Sequence, residues 1–341
     1  MDGSSLRSVT LDDKYQLDKG RVFISGTQAL VRLPIMQRQR DEANGLKTAG
    51  FISGYRGSPI GGYDNALWAA KSYLEEHNIT FQPGLNEDLA ATAIWGTQQL
   101  EFVPGRKVDG VFSIWYGKGP GVDRSGDPLK HINFNGTHPK GGVLVVFGDD
   151  HPGKSSSIGH QSDPALAANS IPVLFPATIQ EFIDFGLHGI ALSRYASVVV
   201  GFKCVNETVT ATSTVEIDPD RVSVNIPQGM GNPEGGIHIR PEYDPLGQDV
   251  RMVRHKLPRV LAYARANRLD KVAFGHPRPT RLGIVTSGKA YLDCIAALYQ
   301  LGLDEVKAKE MGIGLYKVGM VWPLEPEGLK EFAEQCEELL F

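Results

Sequence analysis

Four stretches of this sequence carry residue types able to hold an anion or move a proton. In Gly54-Tyr55-Arg56-Gly57-Ser58-Pro59-Ile60-Gly61-Gly62, amides, a hydroxyl and a guanidinium gather at a helix start after a short apolar run. That set suits a carboxylate or phosphate, although it is neither G-x-G-x-x-G nor a P-loop. A tight turn that needs glycine backbone angles also accounts for it. The second stretch runs from Lys118 to His131 and mixes both charge signs, as a solvated surface loop would. The third, residues 148–163, places Asp149, Asp150, His151, His160 and Asp163 after an apolar run. Two histidines and three aspartates raise metal binding or acid–base work. Their spacing matches no ligand pattern, however, and Asp and Ser are ordinary turn residues, so no metal site is expected. In the fourth, Asn86 reads as a helix cap and Glu87 as a favourable first-turn acid, a sufficient account by itself. G-x-S-x-G is absent, which makes Ser-His-Asp hydrolysis a poor reading.

These stretches sit between short apolar runs and helical patterns that alternate along the chain. Strands are predicted over 22–25, 50–53, 79–82, 110–115, 142–147, 171–175 and 196–201, and helices over 27–44, 63–77, 87–102 and 179–193. Strands alternating with helices of this length imply a doubly wound α/β domain with a parallel sheet, over 20–215 after an N-terminal extension of 1–19. In such a sheet, ligands lie at the carboxyl ends of the strands, where the polar stretches fall. Residues 216–278 are read as an irregular, Pro- and Gly-rich linker that carries a helix over 249–269. A partial second α/β domain follows over 279–341, with strands at 281–286 and 314–318 and helices at 287–301 and 326–340. Two strands make a marginal sheet, so this domain is expected to be cut short and the chain to be a fragment.

Composition narrows the partners. The chain has 341 residues, of which 41% are hydrophobic and 22% charged, with a net charge of −4. That balance is that of a globular protein and argues against a nucleic-acid or anionic-membrane surface. Cys204, Cys294 and Cys336 stand far apart and are read as reduced, core-filling thiols rather than cluster ligands. With no signal-peptide pattern and no long apolar span, a cytoplasmic location is expected.

Taken together and in order, the polar stretches resemble the 2-oxoacid:ferredoxin oxidoreductases, and best the indolepyruvate ferredoxin oxidoreductase family. Asn86-Glu87 followed by Ala90 is similar to that family's Asn-Glu-x-x-Ala. Tyr55-Arg56-Gly57-Ser58-Pro59 resembles its Tyr-Pro-Gly-Thr-Pro loop, with Arg56 and Ser58 as departures. Lys118, Gly121, Asp127 and Pro128 fall in register with its Lys-x-x-Gly-Leu-Asn-x-x-x-Asp-Pro loop. Asp149-Asp150 with Ser155-Ser156 is similar to its Asp-Asp-Pro-Gly-x-x-Ser-Ser run, here with His151 inserted. Residues 317–324 resemble the strand and turn of its second domain. The match extends from about Arg21 to the end, and it looks most like the N-terminal portion of the long, fused bacterial form.

The resemblance implies a thiamine-diphosphate-binding fold in which this chain supplies the pyrimidine-binding domain and part of a transketolase C-terminal-like domain. It implies that Glu87 activates the cofactor through a ring nitrogen of its aminopyrimidine, with Gly57 and Ser58 beside the cofactor. Arg56 and Ser58 are then the candidates for the carboxylate of a 2-oxo acid, with Lys118 and His160 nearby. The implied reaction is oxidative decarboxylation of an aryl or branched 2-oxo acid to acyl-coenzyme A with reduction of ferredoxin. The diphosphate, its Mg2+ and the [4Fe-4S] clusters are expected on a diphosphate-binding domain, in a longer chain or another subunit, because Gly-Asp-Gly and grouped cysteines are absent here. A homodimer is expected. The rival readings are a non-oxidative thiamine-diphosphate enzyme subunit and a non-catalytic scaffold or regulatory subunit.

Overall fold

A computed structural model describes residues 8–151, 159–242, 244–275 and 279–341. The chain is α/β, as the alternation implies. Its main sheet has seven strands in the order Met320–Trp322, Val173–Leu174, Val199–Val205, Val143–Asp149, Gly110–Lys118, Thr48–Gly54 and Ile79–Phe81. All neighbours are parallel except the first pair. The two central strands, Val143–Asp149 and Val199–Val205, are buried at every residue. Their near-continuous apolar sequences are those of strands covered on both faces. Alternation sorts the side chains. Leu144 and Val146 enter the core under the helices Gly26–Ala43 and Ile179–Ala196, while Val143, Val145 and Phe147 enter the opposite one with Ala90, Ile94 and Leu129.

The strand expected over 22–25 lies outside this sheet. Gly20–Ser25 pairs antiparallel with Thr212–Ile217 in a separate two-stranded ribbon, with Phe23 69% exposed. Four of the six residues of Thr212–Ile217 are polar and exposed, so no apolar run marks it in the sequence. The helix expected over 63–77 is two helices, Tyr63–Ala69 and Lys71–Glu76.

The second unit corrects the two-strand expectation. It has four strands in the order Cys336–Leu340, Thr280–Ser287, Ile313–Val318 and Lys271–Gly275. The helix expected to run through 340 stops at Ala333, and Cys336–Leu340 adds to the sheet parallel to Thr280–Ser287. Cys336 and Leu339 pack on Phe332 and Val285, a long-range gain that overrides the local helical pattern. Lys271–Gly275, inside the segment read as linker, closes the other edge antiparallel to Ile313–Val318. All three cysteines are free thiols. Among the described residues, no helix is long and apolar enough to cross a membrane.

A short joint ties the two units together. Met320–Trp322 leaves the second unit to extend the main sheet beside Val173–Leu174, and Phe175 N donates to Gly319 O at 2.9 Å. Asp270 accepts from the amides of Gly319 and Met320 at 2.7 and 2.9 Å, and burial pushes its carboxyl up to about 6. Lys317, almost fully buried, pairs with Glu181. The helix Leu257–Ala266 docks through Tyr263, whose hydroxyl lies 3.0 Å from His188 Nδ1.

Burial lowers the His188 pKa from 6.5 to about 4, so this imidazole stays neutral in the folded chain while the unfolded chain already binds a proton. Its contribution to stability is full above pH 6.5 and is lost as pH falls towards 4. Folding stability measured by denaturant titration is therefore expected to decline across that window, and less steeply in His188→Gln. An equal slope in both proteins rejects His188 as a source of the acid sensitivity.

Candidate functional site

The polar stretches converge because the strands preceding them are neighbours. Thr48–Gly54, Gly110–Lys118 and Val143–Asp149 lie side by side and parallel, so their carboxyl ends open on one edge of the sheet. Glycine lets the first two stretches approach. A Cβ on Gly54 would stand 2.1 Å from Tyr116 O, and one on Gly57 would stand 2.7 Å from Lys118 Cδ. Gly57 and Lys118 are thus in contact. Ser58 is half-buried beside them, and Arg56 is exposed at the edge.

Glu87 reaches the same edge. Asn86 caps the helix Glu87–Gln98 by accepting from Leu89 N at 2.9 Å, as its type predicts. The loop ahead of the cap is tied to the first stretch by Gly84 N, which donates to Gly54 O at 2.8 Å. Trp115 Nε1 donates to the Glu87 carbonyl at 3.1 Å, anchoring the helix start to the central strands. Glu87 is 8% exposed, and its ion-pair partner Arg124 stands 4.0 Å away. Arg124 lies closer to Asp88, at 3.2 Å. Gly121 closes one side of the Glu87 carboxylate, because a Cβ there would lie 2.8 Å from Glu87 Cγ and 2.9 Å from Oε1.

The stretch from Lys118 to His131 is not a surface loop. It forms the helices Gly119–Arg124 and Gly126–Asn135, and Leu129 and Ile132 enter the core. Glycines and prolines among mixed charges hid the helical period.

In the third stretch, Ser155 and Ser156 lie outside the described residues. Asp149, fully buried, accepts from Ser162 N at 2.8 Å and Ser162 Oγ at 2.6 Å. Lys203 lies 3.7 Å from Asp149 and 2.5 Å from Asp163, with Phe175 under its ammonium. His160 stands between two carboxylates, with Nε2 2.8 Å from Asp123 Oδ2 and Nδ1 3.6 Å from Asp149 Oδ1. His151 is exposed, its Nδ1 3.2 Å from the His160 carbonyl. Among the described residues, no group of three or more acidic, His or Cys side chains is placed to hold a metal ion.

The six residues singled out in the sequence therefore share one edge but not one contact set. Gly57 meets Lys118, Glu87 meets Gly121, and His160 meets Gly119 and Asp123. Sequence reasoning missed Lys203, Asp123 and Trp115. A lysine inside the apolar run 199–205 is the signal that could have found the first, because a charge on a strand buried on both faces requires a buried partner.

Comparison with known proteins finds relatives and a likeness of fold. Residues 271–341 match the family model described as the indolepyruvate oxidoreductase domain. The chain is 25% identical over 336 residues to the indolepyruvate oxidoreductase subunit IorA of Methanothermobacter marburgensis, covering 97% of this chain and 48% of that protein. It is 24% identical over 344 residues to the subunit of the same name from Pyrococcus abyssi, covering 94% of this chain and 45% of that one. In structure it is similar to the 2-oxoglutarate:ferredoxin oxidoreductase from Magnetococcus marinus, solved with 2-oxoglutarate, coenzyme A and succinyl-CoA bound. The TM-score is 0.66 at 16% identity, covering 94% of this chain and 57% of that one, which is a likeness of fold. The chain spans about half the length of the curated relatives it matches. These likenesses bear out the resemblance to the indolepyruvate oxidoreductases, and they leave the long fused bacterial form as an expectation.

Lys203 is 5% exposed, and its ammonium compensates two carboxylates. Lys203→Met takes the cation from half-buried Asp163 and from fully buried Asp149, which keeps its two Ser162 donors, and is expected to cost roughly 1–3 kcal/mol of folding stability in denaturant titration. A loss below about 1 kcal/mol would mean that the network relaxes around the change.

Proposed function

We propose that this relative of the indolepyruvate ferredoxin oxidoreductases supplies the aminopyrimidine-binding part of a thiamine-diphosphate-dependent enzyme. In that reading the enzyme oxidatively decarboxylates an aryl or branched 2-oxo acid to acyl-coenzyme A and passes electrons to ferredoxin. The observation that carries the reading is the Glu87 carboxylate, buried at the carboxyl edge of a parallel sheet with glycine against it.

The residues present suit an aminopyrimidine. Glu87 offers a carboxylate acceptor whose cationic partner is 4.0 Å away, so a ring N–H could take the shorter bond. Gly121 lets the helix Gly119–Arg124 pack directly against the carboxylate, which holds Glu87 in place from that side. When bound, thiamine diphosphate supplies a carbon nucleophile and an electron sink for the decarboxylation. Glu87 holds the proton on the ring nitrogen it faces, which sets the tautomer. Burial keeps water from competing for that bond.

Arg56 and Ser58 stand at the mouth of the same edge and are assigned to the carboxylate of the 2-oxo acid, with Lys118 behind Gly57 as a further cation. The diphosphate, its Mg2+ and the [4Fe-4S] clusters belong in this reading to a diphosphate-binding domain of a longer protein or another subunit. The word subunit in the relatives' names supports an assembly of several parts.

Two variants test the reading in the complete enzyme, assayed anaerobically for ferredoxin reduction with indolepyruvate, phenylpyruvate or a branched 2-oxo acid. Glu87→Gln removes the acid–base group and is expected to lower turnover by roughly 10²–10⁴-fold. Normal turnover in that variant ends the assignment. Arg56→Met is expected to raise KM for the 2-oxo acid roughly tenfold while leaving thiamine diphosphate affinity unchanged. An unchanged KM moves the carboxylate contact elsewhere.

A further inference from the structure

The helix Gly119–Arg124 forms one side of the Glu87 carboxylate through Gly121, yet it has six residues and contains Gly119, Pro120 and Gly121. A helix that short has no stability of its own. Something outside it must fix its position to the tenths of an ångström that the Gly121–Glu87 contact demands.

The His160 ring meets that need. Nε2 lies at hydrogen-bond distance, 2.8 Å, from Asp123 Oδ2 on the helix, while Nδ1 makes no hydrogen bond among the described residues and faces Asp149 Oδ1 on the central strand at 3.6 Å, an electrostatic contact. Asp149 is itself immobilised by two donors from Ser162 and by Lys203. The ring also rests on the helix start, where a Cβ on Gly119 would come within 2.1 Å of Nδ1. The His160 side chain is 13% exposed, whereas that of Asp123 is 57% exposed, so the histidine is the ordered end of the pair.

We propose that His160 is a positioning residue of the Glu87 site, a strut from Asp149 to Asp123 that holds the Gly119–Arg124 helix against the carboxylate. This rests on the thiamine diphosphate reading and adds the part of the chain that shapes the cofactor's seat. His160 works through the helix, since its two nitrogens face Asp123 and Asp149. It replaces the direct substrate contact that the sequence suggested for this residue.

Two readouts on the complete enzyme test the strut: hydrogen exchange of residues 119–124, and thiamine diphosphate affinity by titration. His160→Ala is expected to speed exchange in that helix and to weaken cofactor binding roughly tenfold, the scale of one lost hydrogen bond. His160→Gln keeps a donor for Asp123 and is expected to restore both. Gly119→Ala drives a methyl into the imidazole and is expected to copy His160→Ala. The double variant should be no worse than His160→Ala alone, because the ring that clashes is gone. Unchanged exchange at 119–124 in His160→Ala, or additive losses in the double variant, overturns the proposal. If the unaltered enzyme takes up no thiamine diphosphate, the functional reading fails while the exchange measurement still decides the strut.

Discussion

Much of this molecule hangs on one buried carboxylate, Asp149. It ends the fully buried strand Val143–Asp149, where a charge without partners would be costly, so the surrounding chain is arranged to compensate it. Ser162 returns to it with an amide and a hydroxyl, which fixes the far end of the third polar stretch and the start of the helix Asp163–Ala168. Lys203 brings a cation from the neighbouring strand, and shares it with Asp163. His160 comes down on the other side. An anion at the end of a parallel strand therefore gathers residues 160–163 and the neighbouring strand around one fixed point.

How much of this could be read from the sequence depended on the range of the interaction. The central strands were legible because two buried faces leave a continuous apolar run. Asn86 was legible as a cap because capping is decided within three residues. The convergence of Arg56, Gly57, Ser58, Glu87, Lys118 and His160 on one edge followed from the parallel sheet itself, since every such strand points its end the same way. Lys203 stood out as a charge inside an apolar run, but its partners, like those of Asp123 and Trp115, were illegible because they lie far along the chain; the Trp115 indole, for instance, reaches a carbonyl 28 residues away.

The same distinction explains the second unit. Residues 336–340 read locally as helix, with acids and leucines at helical spacing, and they became a strand because Thr280–Ser287 offered an unpaired edge. Met320–Trp322 is three residues long and joins the main sheet rather than its own. No local pattern encodes that choice. It is made by Asp270 gripping the amides of Gly319 and Met320, and by Lys317 burying its charge against Glu181 across the joint. The two units thus share a sheet and a buried ion pair, a firmer coupling than a flexible linker would give, although the segment between them is rich in proline and glycine.

The surface around Glu87 carries the argument one step further. Leu85 is 86% exposed, Leu89 51% and Tyr55 41%, all within a few residues of a carboxylate that is itself buried. Single exposed apolar side chains are ordinary on a protein surface, but three around one buried acid offer area that a neighbouring surface could cover. A covering surface would dry the edge, strengthen every hydrogen bond made to Glu87, and exclude water from the chemistry proposed for it. In the proposed reading these are parts of a shared site: an acid held by a cap and an indole, a glycine wall beside it, and exposed apolar side chains at its rim.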